Sequence, residues 1–192
     1  MIHSAISHIT GRLSQHLKGK LERHEDIVAA SNIFEQDGSV CANIDNKVIV
    51  SLINIKKETT PGSSPNGITS NSSTFTTYPP LHINLYLMFS AHFNSNNYSE
   101  ALKLISYTIS FFQANPFFDH YNSPDLDKDI DKLIMDIVNL DWEVLSNVWS
   151  MMGAKYVPSV LYEMRMITFD SESVKKRESG VKTPGVGISR QD

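Results

Sequence analysis

The chain has 192 residues, enough for one well-buried core and too few for two ordinary domains with their linkers. Its 21 acidic against 17 basic side chains leave a net charge of −4, which excludes the basic excess a nucleic-acid binder uses to displace counterions. A single cysteine, Cys41, excludes an internal disulfide framework and a cysteine-rich zinc site, and suits synthesis in a reducing cytosol.

The N-terminus lacks the basic start and unbroken apolar block of a secretory signal. The longest apolar runs, such as LYLMF at 85–89, fall far short of a bilayer's width, so membrane insertion is not expected. In chain order, Ile2, Ala5, Ile6, Ile9, Leu13, Leu17 and Leu21 recur at steps of three and four and predict an amphipathic helix with His8, Arg12, Gln15 and Lys18 opposite. Residues 27–45 hold an Asp37-Gly38 pair that marks a tight turn between short extended pieces. VIVSLINI at 48–55, rich in β-branched residues and apolar on both faces, predicts a central strand. Residues 58–77 are almost all Ser, Thr, Asn, Gly and Pro and predict a long flexible loop.

LHINLYLMFSAHF at 81–93 alternates strictly. Leu81 to Phe93 at odd positions make an apolar face, and His82, Asn84, Tyr86, Met88, Ser90 and His92 a semi-polar one open to solvent or to another subunit. A helix capped by Ser99 and ending near Asn115-Pro116 follows. KLIMDIVNL at 132–140 fits either helix or strand by periodicity alone. Asp141 is a natural N-cap for a helix that stops at Gly153. Pro158 then leads into a strand with Tyr162 and Met164 on one face and Glu163 and Arg165 on the other. Residues 170–192 carry scarcely any core-forming side chain and read as a disordered tail. The order of elements predicts one α+β domain over 1–169, with helices packed on a sheet.

No catalytic set emerges. The seven histidines include no H-E-x-x-H pattern, and His82 and His92 lie ten residues apart on one strand. DLDKDIDKLIMD at 125–136 places acids as a calcium loop does, but Ile130 stands where the turn needs glycine and Asp136 where it needs glutamate. GSSPNG at 62–67 lacks the lysine and the strand-to-helix setting of a phosphate cradle. No nucleophile has a placed base. No metal, cofactor or catalytic residue is expected.

IVSLINI, YPPLHINLYLMFSAHF, EALKLISYTISFFQANPFF and above all LSNVWSMMGAKYVPSVLYEMRM resemble the N-terminal domain of the cap, or tail-terminator, proteins of contractile injection systems. Relatives include those of the antifeeding prophage and the Photorhabdus virulence cassettes, and the resemblance runs over about residues 2–169. It implies a phage tail-terminator-like α+β fold with a mixed, mostly antiparallel sheet of about four strands, KLIMDIVNL being one of them. It implies a non-enzymatic protein forming a homohexameric ring on the inner tube and sheath, at the end away from the target cell. It also implies synthesis in the bacterial cytoplasm as part of a phage tail-like particle that is later released. Inner-tube and sheath proteins would be its partners. A phage-type tail-completion or head-joining adaptor is the alternative. Exposure patterns place the contacts at His82, Tyr86, His92, Trp142, Lys155, Tyr156, Glu163 and Arg165, with the 58–77 loop and the tail reaching tube or sheath.

Overall fold

The computed structural model describes residues 1–35, 37–42, 44–58, 81–94 and 96–165, together with the backbone of 68–70, 73–76, 95, 166–169 and 176–179. Three helices are found among them, α1 (Ile2–Leu21), α2 (Tyr98–Ala114) and α3 (Trp142–Met151). The strands are β1 (Val28–Ala30), β2 (Lys47–Lys57), β3 (Ile68–Ser70), β4 (Ser73–Thr76), β5 (Leu81–His92), β6 (Phe117–Asp119), β7 (Lys132–Val138), β8 (Ser159–Phe169) and β9 (Lys176–Ser179). By their contacts these residues fall into two units. The first is built from 1–58 and 82–168. The second contains a small sheet in the order β3-β4-β9, antiparallel throughout.

The first unit carries a six-stranded sheet in the order β1-β2-β5-β8-β7-β6. β1 runs parallel to β2, while β2 with β5, β7 with β8 and β6 with β7 are antiparallel. The Ala91 amide donates to the Pro158 carbonyl at 2.9 Å, so the end of β5 lies beside the start of β8. Asn84, early in β5, reaches Glu163, further along β8, so this pair is antiparallel too. The sheet is therefore mixed and mostly antiparallel, as expected. It has six strands instead of about four, because β1 and β6 are three-residue strands, too short to display an alternation.

Alternation along β5 and β8 sorts the two faces. Phe89 and Tyr162 point to one side, where they meet Phe112 of α2 at ring-centroid distances of 5.1 and 4.8 Å. Phe111 of α2 meets Phe118 of β6 at 6.1 Å, and His8 and His16 of α1 lie against Phe118 and Phe111. Ala5, Ile9, Leu13 and Leu17 of α1 are fully buried, the stripe that the three-and-four spacing predicts. His8 was expected on the polar face, yet it lies on the flank of this stripe and closes over Phe118. Val50 pairs with Phe89, so Ile49 points to the opposite side. There it packs with Ile33, Cys41, Ile44 and Trp149. This second, smaller core is roofed by residues 31–46 and by α3.

Three expectations need correction. The 48–55 strand is covered on both faces only through Ser51. Leu52 and Ile55 are exposed, because β1 stops at Ala30 and a bulge follows Leu52. The even face of β5 is less open than its pattern implies: Asn84, Met88 and Ser90 are buried beneath the chain's own segments. Asn97, not Ser99, is the N-cap of α2, since a 3₁₀ turn at Ser95–Asn97 runs straight into the helix. KLIMDIV is the strand β7. Within the segment read as a loop, 58–77, the described residues form β3 and β4, whose Thr, Ile and Phe favour strands. Within the tail at 170–192 they form β9. The remainder of both segments, including 62–67, lies outside the described residues.

Phe112 is 2% exposed and touches three other aromatic rings. Phe112→Ala is expected to cost about 3–5 kcal/mol in urea denaturation. Ile109→Ala, one turn earlier on the outer face of the same helix, is expected to change stability by no more than about 0.5 kcal/mol.

Candidate protein interface

On the face opposite Phe89 and Tyr162, half of the sheet has no second layer among the described residues, and polar side chains from four strands meet there. The Tyr86 hydroxyl of β5 donates to Glu163 Oε1 of β8 at 2.8 Å. Asn84 Nδ2 donates to the same oxygen at 3.0 Å and to Glu58 Oε2 at 2.7 Å. Lys56 of β2 holds its ammonium 4.7 Å from the centre of the Tyr86 ring. Asp136 of β7 stands opposite Glu163 in the ladder, and its carboxylate pairs with Arg165 at 2.6 Å. The result is a fixed band of alternating charge, Lys56, Glu163, Arg165 and Asp136, laid across the strands.

Desolvation and the Glu163 carboxylate act in the same direction on Tyr86. Burial disfavours the phenolate, the hydrogen bond to Glu163 holds the proton, and the charges of Glu163 and Glu58 repel a second anion. The phenol is pushed up to about 12. Among the described residues Asn84 Oδ1 and Arg165 Nε are buried without a hydrogen-bond partner.

The eight residues singled out in the sequence do not form one site. Tyr86, Glu163 and Arg165 are brought together in the band, and His82 sits four residues before Tyr86 at the head of β5, its carbonyl accepting the Glu58 amide at 2.9 Å. His92 is six residues beyond Tyr86, roughly 20 Å along the strand. It approaches Asp45 at 3.3 Å and lines a cleft of about 410 Å³ with Lys155, Phe34 and Val40. Tyr156, 61% exposed, stands edge-on to Trp149 at 5.6 Å. Trp142, at the start of α3, is 88% exposed.

What holds Lys155 and Tyr156 in place is the stop after α3. Gly153 has φ +67°, its amide bonds the Ser150 carbonyl at 3.1 Å, and the Ala154 amide returns to the Trp149 carbonyl at 3.2 Å. This is the glycine-dependent Schellman arrangement, and it turns the chain toward Pro158 and β8. Asp141 occupies the N-cap position, although its side chain makes no capping bond.

Sequence reasoning missed Lys56, Glu58 and Asp136 of the band. The signal was cross-strand register, which a single sequence does not display. It also missed the apolar side chains that α3 presents to solvent, Val144 and Met151 beside Trp142. The signal there was in view: α3 has ten residues and Glu143 is its one charge, too few for a helix face that meets water.

The acidic run at 125–136 is used internally. Ile130 is buried, and the Asp127 carboxyl is held below its usual range by the Ser4 hydroxyl and the Asp129 amide. Asp136, twelfth in that run, belongs to the band. Among the described residues no group of three or more His, Cys, Asp or Glu side chains is placed to hold a metal ion, and no helix is long and apolar enough to cross a membrane.

A sequence profile described as the Pvc16 N-terminal domain matches residues 5–183. No curated protein sequence matches the chain. Among solved structures, the chain is similar to the PVC sheath/tube terminator of an extracellular contractile injection system in its extended state, with a TM-score of 0.61 and 12% identity. That match covers 100% of this chain and 64% of the other. It is also similar to the tube-terminating cap of the anti-feeding prophage, with a TM-score of 0.50 and 11% identity over 94% of this chain and 60% of the other. The chain thus spans less than two thirds of either protein. What it shares with them at this identity is the fold of a tail terminator.

The raised Tyr86 phenol has a spectroscopic consequence. In ultraviolet titration of the tyrosines, one ionisation is expected near 12. It disappears in Tyr86→Phe and moves down toward the ordinary value of 10 in Glu163→Gln. Since the folded state holds this proton more tightly than the unfolded chain, the stability it contributes is complete below pH 10 and is lost as pH rises from 10 to 12. The alkaline decline should therefore be shallower in Tyr86→Phe.

Proposed function

The chain belongs to the Pvc16 N-terminal domain family, and from that membership we propose that it is a structural cap of a contractile injection system. In this reading it forms a homohexameric ring on the end of the inner tube and sheath, stops their growth and stabilises the particle. Its work is contact and shape, without turnover. It is made in the bacterial cytoplasm and leaves with the particle.

The observation that carries the reading is the surface the subunit leaves open. Trp149 is the one buried residue of α3, while Trp142, Val144 and Met151 of that helix and the nearby Tyr156 are exposed. Clustered apolar exposure of this kind marks a surface that another protein covers. A ring of identical subunits supplies such cover through a head-to-tail contact whose rotation closes. In this proposal the Trp142, His92, Lys155 and Tyr156 end contributes to the subunit contact. The band of His82, Tyr86, Glu163 and Arg165 meets tube, sheath or neighbour with its charges already ordered, which lowers the entropic cost of association.

Deleting the gene is expected to leave sheath-tube particles of uncontrolled length, or none that stay assembled, by electron microscopy; particles of normal length would refute the cap role. Native mass measurement tests the ring. A subunit that stays monomeric at every concentration, with and without tube protein, rules it out.

A further inference from the structure

The outward face of α2 is uncovered in the subunit and is built like a face meant for burial. Tyr98, Leu102 and Ile109 are 53%, 45% and 37% exposed and recur at positions one, five and twelve of a single stripe, with the buried edge of Ile105 between them. The rest of that face is Ser99, Ser106, Ser110 and Gln113. Of the two charges in the 17-residue helix, Glu100 is paired with Arg23, which leaves Lys103 to hydrate the whole face. A helix that ordinarily meets solvent carries several charges there.

Its serines do not compensate. The Ser106 hydroxyl donates to the Leu102 carbonyl at 2.8 Å and the Ser110 hydroxyl to the Ser106 carbonyl at 2.9 Å. With the hydroxyl protons spent inside the helix, an apolar partner laid over this stripe strands no donor. The small side chains also permit close approach of a second helix.

α3 has the complementary problem. Val144, Val148 and Met151 fall at one, five and eight on a stripe, and Val144 and Met151 are 46% and 66% exposed. The helix has one charge, Glu143, opposite in sign to Lys103. The two helices cannot satisfy each other within a subunit. α2 lies on the Phe89 side of the sheet and α3 on the Ile49 side. Two unpartnered helix stripes on opposite faces of one sheet are the requirement for a heterologous contact that repeats around a ring.

We propose that α3 of each subunit packs on α2 of the next, Val144 and Met151 seating against Leu102 and Ile109, with Glu143 drawn toward Lys103. This inference rests on the ring reading and names the two surfaces that close it. The partner is a second copy of this chain.

Leu102→Asp and Met151→Asp alter exposed positions, and each is expected to keep the wild-type circular dichroism and melting transition. Each alone should weaken self-association at least ~30-fold, the effect of losing one central contact. Mixed one to one, the first variant retains a working α3 and the second a working α2. The mixture should therefore form a heterodimer of twice the 21.6 kDa subunit, and nothing larger, by native mass spectrometry. If Leu102→Asp assembles as the wild type does, or the mixture stays monomeric, the pairing is overturned while the ring stands. If Leu102→Asp leaves self-association intact and abolishes binding to tube or sheath protein, α2 serves those partners and the pairing is again overturned. A wild-type chain that is monomeric at every concentration, alone and with tube protein, removes the ring and this pairing together.

Discussion

Everything in the first unit depends on β5 being sealed on its odd face by aromatic side chains. Phe89 is fully buried between Phe112 and Tyr162, with the three rings 4.8–5.6 Å apart. Rings at these separations combine a large area removed from water with favourable edge contacts. The cluster fixes β5, β8 and α2 at once. With three elements fixed, the period-two alternation of the strands leaves no freedom on the other face. Glu163 must then oppose Phe89's side, and so must Asn84, Tyr86 and Arg165.

That second face is closed over only half its length. Near Ile49 the segment 31–46 and α3 supply a roof, and Trp149 is the residue by which α3 is attached. Toward the other end, no apolar layer is found among the described residues, and hydrogen-bonded polar groups occupy the sheet. Partial burial of Glu163 there is tolerable because two donors converge on one of its oxygens. One face is a finished core, and the other is part core and part ordered polar surface.

Much of this was legible in the residues. The α1 stripe, the alternation in β5, the Gly153 stop and the Pro158 entry to β8 each rest on local chemistry that a neighbour cannot override. β7 was not legible from pattern, because the apolar positions of KLIMDIV fit both periods, and the resemblance to cap proteins supplied what the pattern did not. The cap of α2 was misplaced because Ser99 is a good N-cap residue by type, yet the turn at Ser95–Asn97 had already begun the helix. Strand number was undercounted for a reason of length, since Val28–Ala30 and Phe117–Asp119 are strands only because a longer strand lies beside them. The site was legible as a list of side chains and illegible as a geometry. Tyr86 and Glu163 are 77 residues apart, and only the β5–β8 pairing makes them neighbours.

In the proposed ring, the two kinds of surface left open divide the requirements of an assembling subunit. Apolar stripes on α2 and α3 supply association energy that depends little on salt, since burying a Leu or Met side chain is worth about 1.5–3 kcal/mol. In that reading the charged band supplies orientation: Lys56 of β2, Glu163 and Arg165 of β8 and Asp136 of β7 hold a fixed pattern of sign that favours one placement of a partner over others. A subunit built only on the first would associate without register, and one built only on the second would associate weakly. The α2 stripe is anchored to the Phe89 cluster and α3, through Trp149, to the Ile49 cluster on the other face, so what the two stripes share is the sheet between them. In the proposed ring, one sheet therefore carries both the apolar stripes of the subunit contact and the ordered polar face.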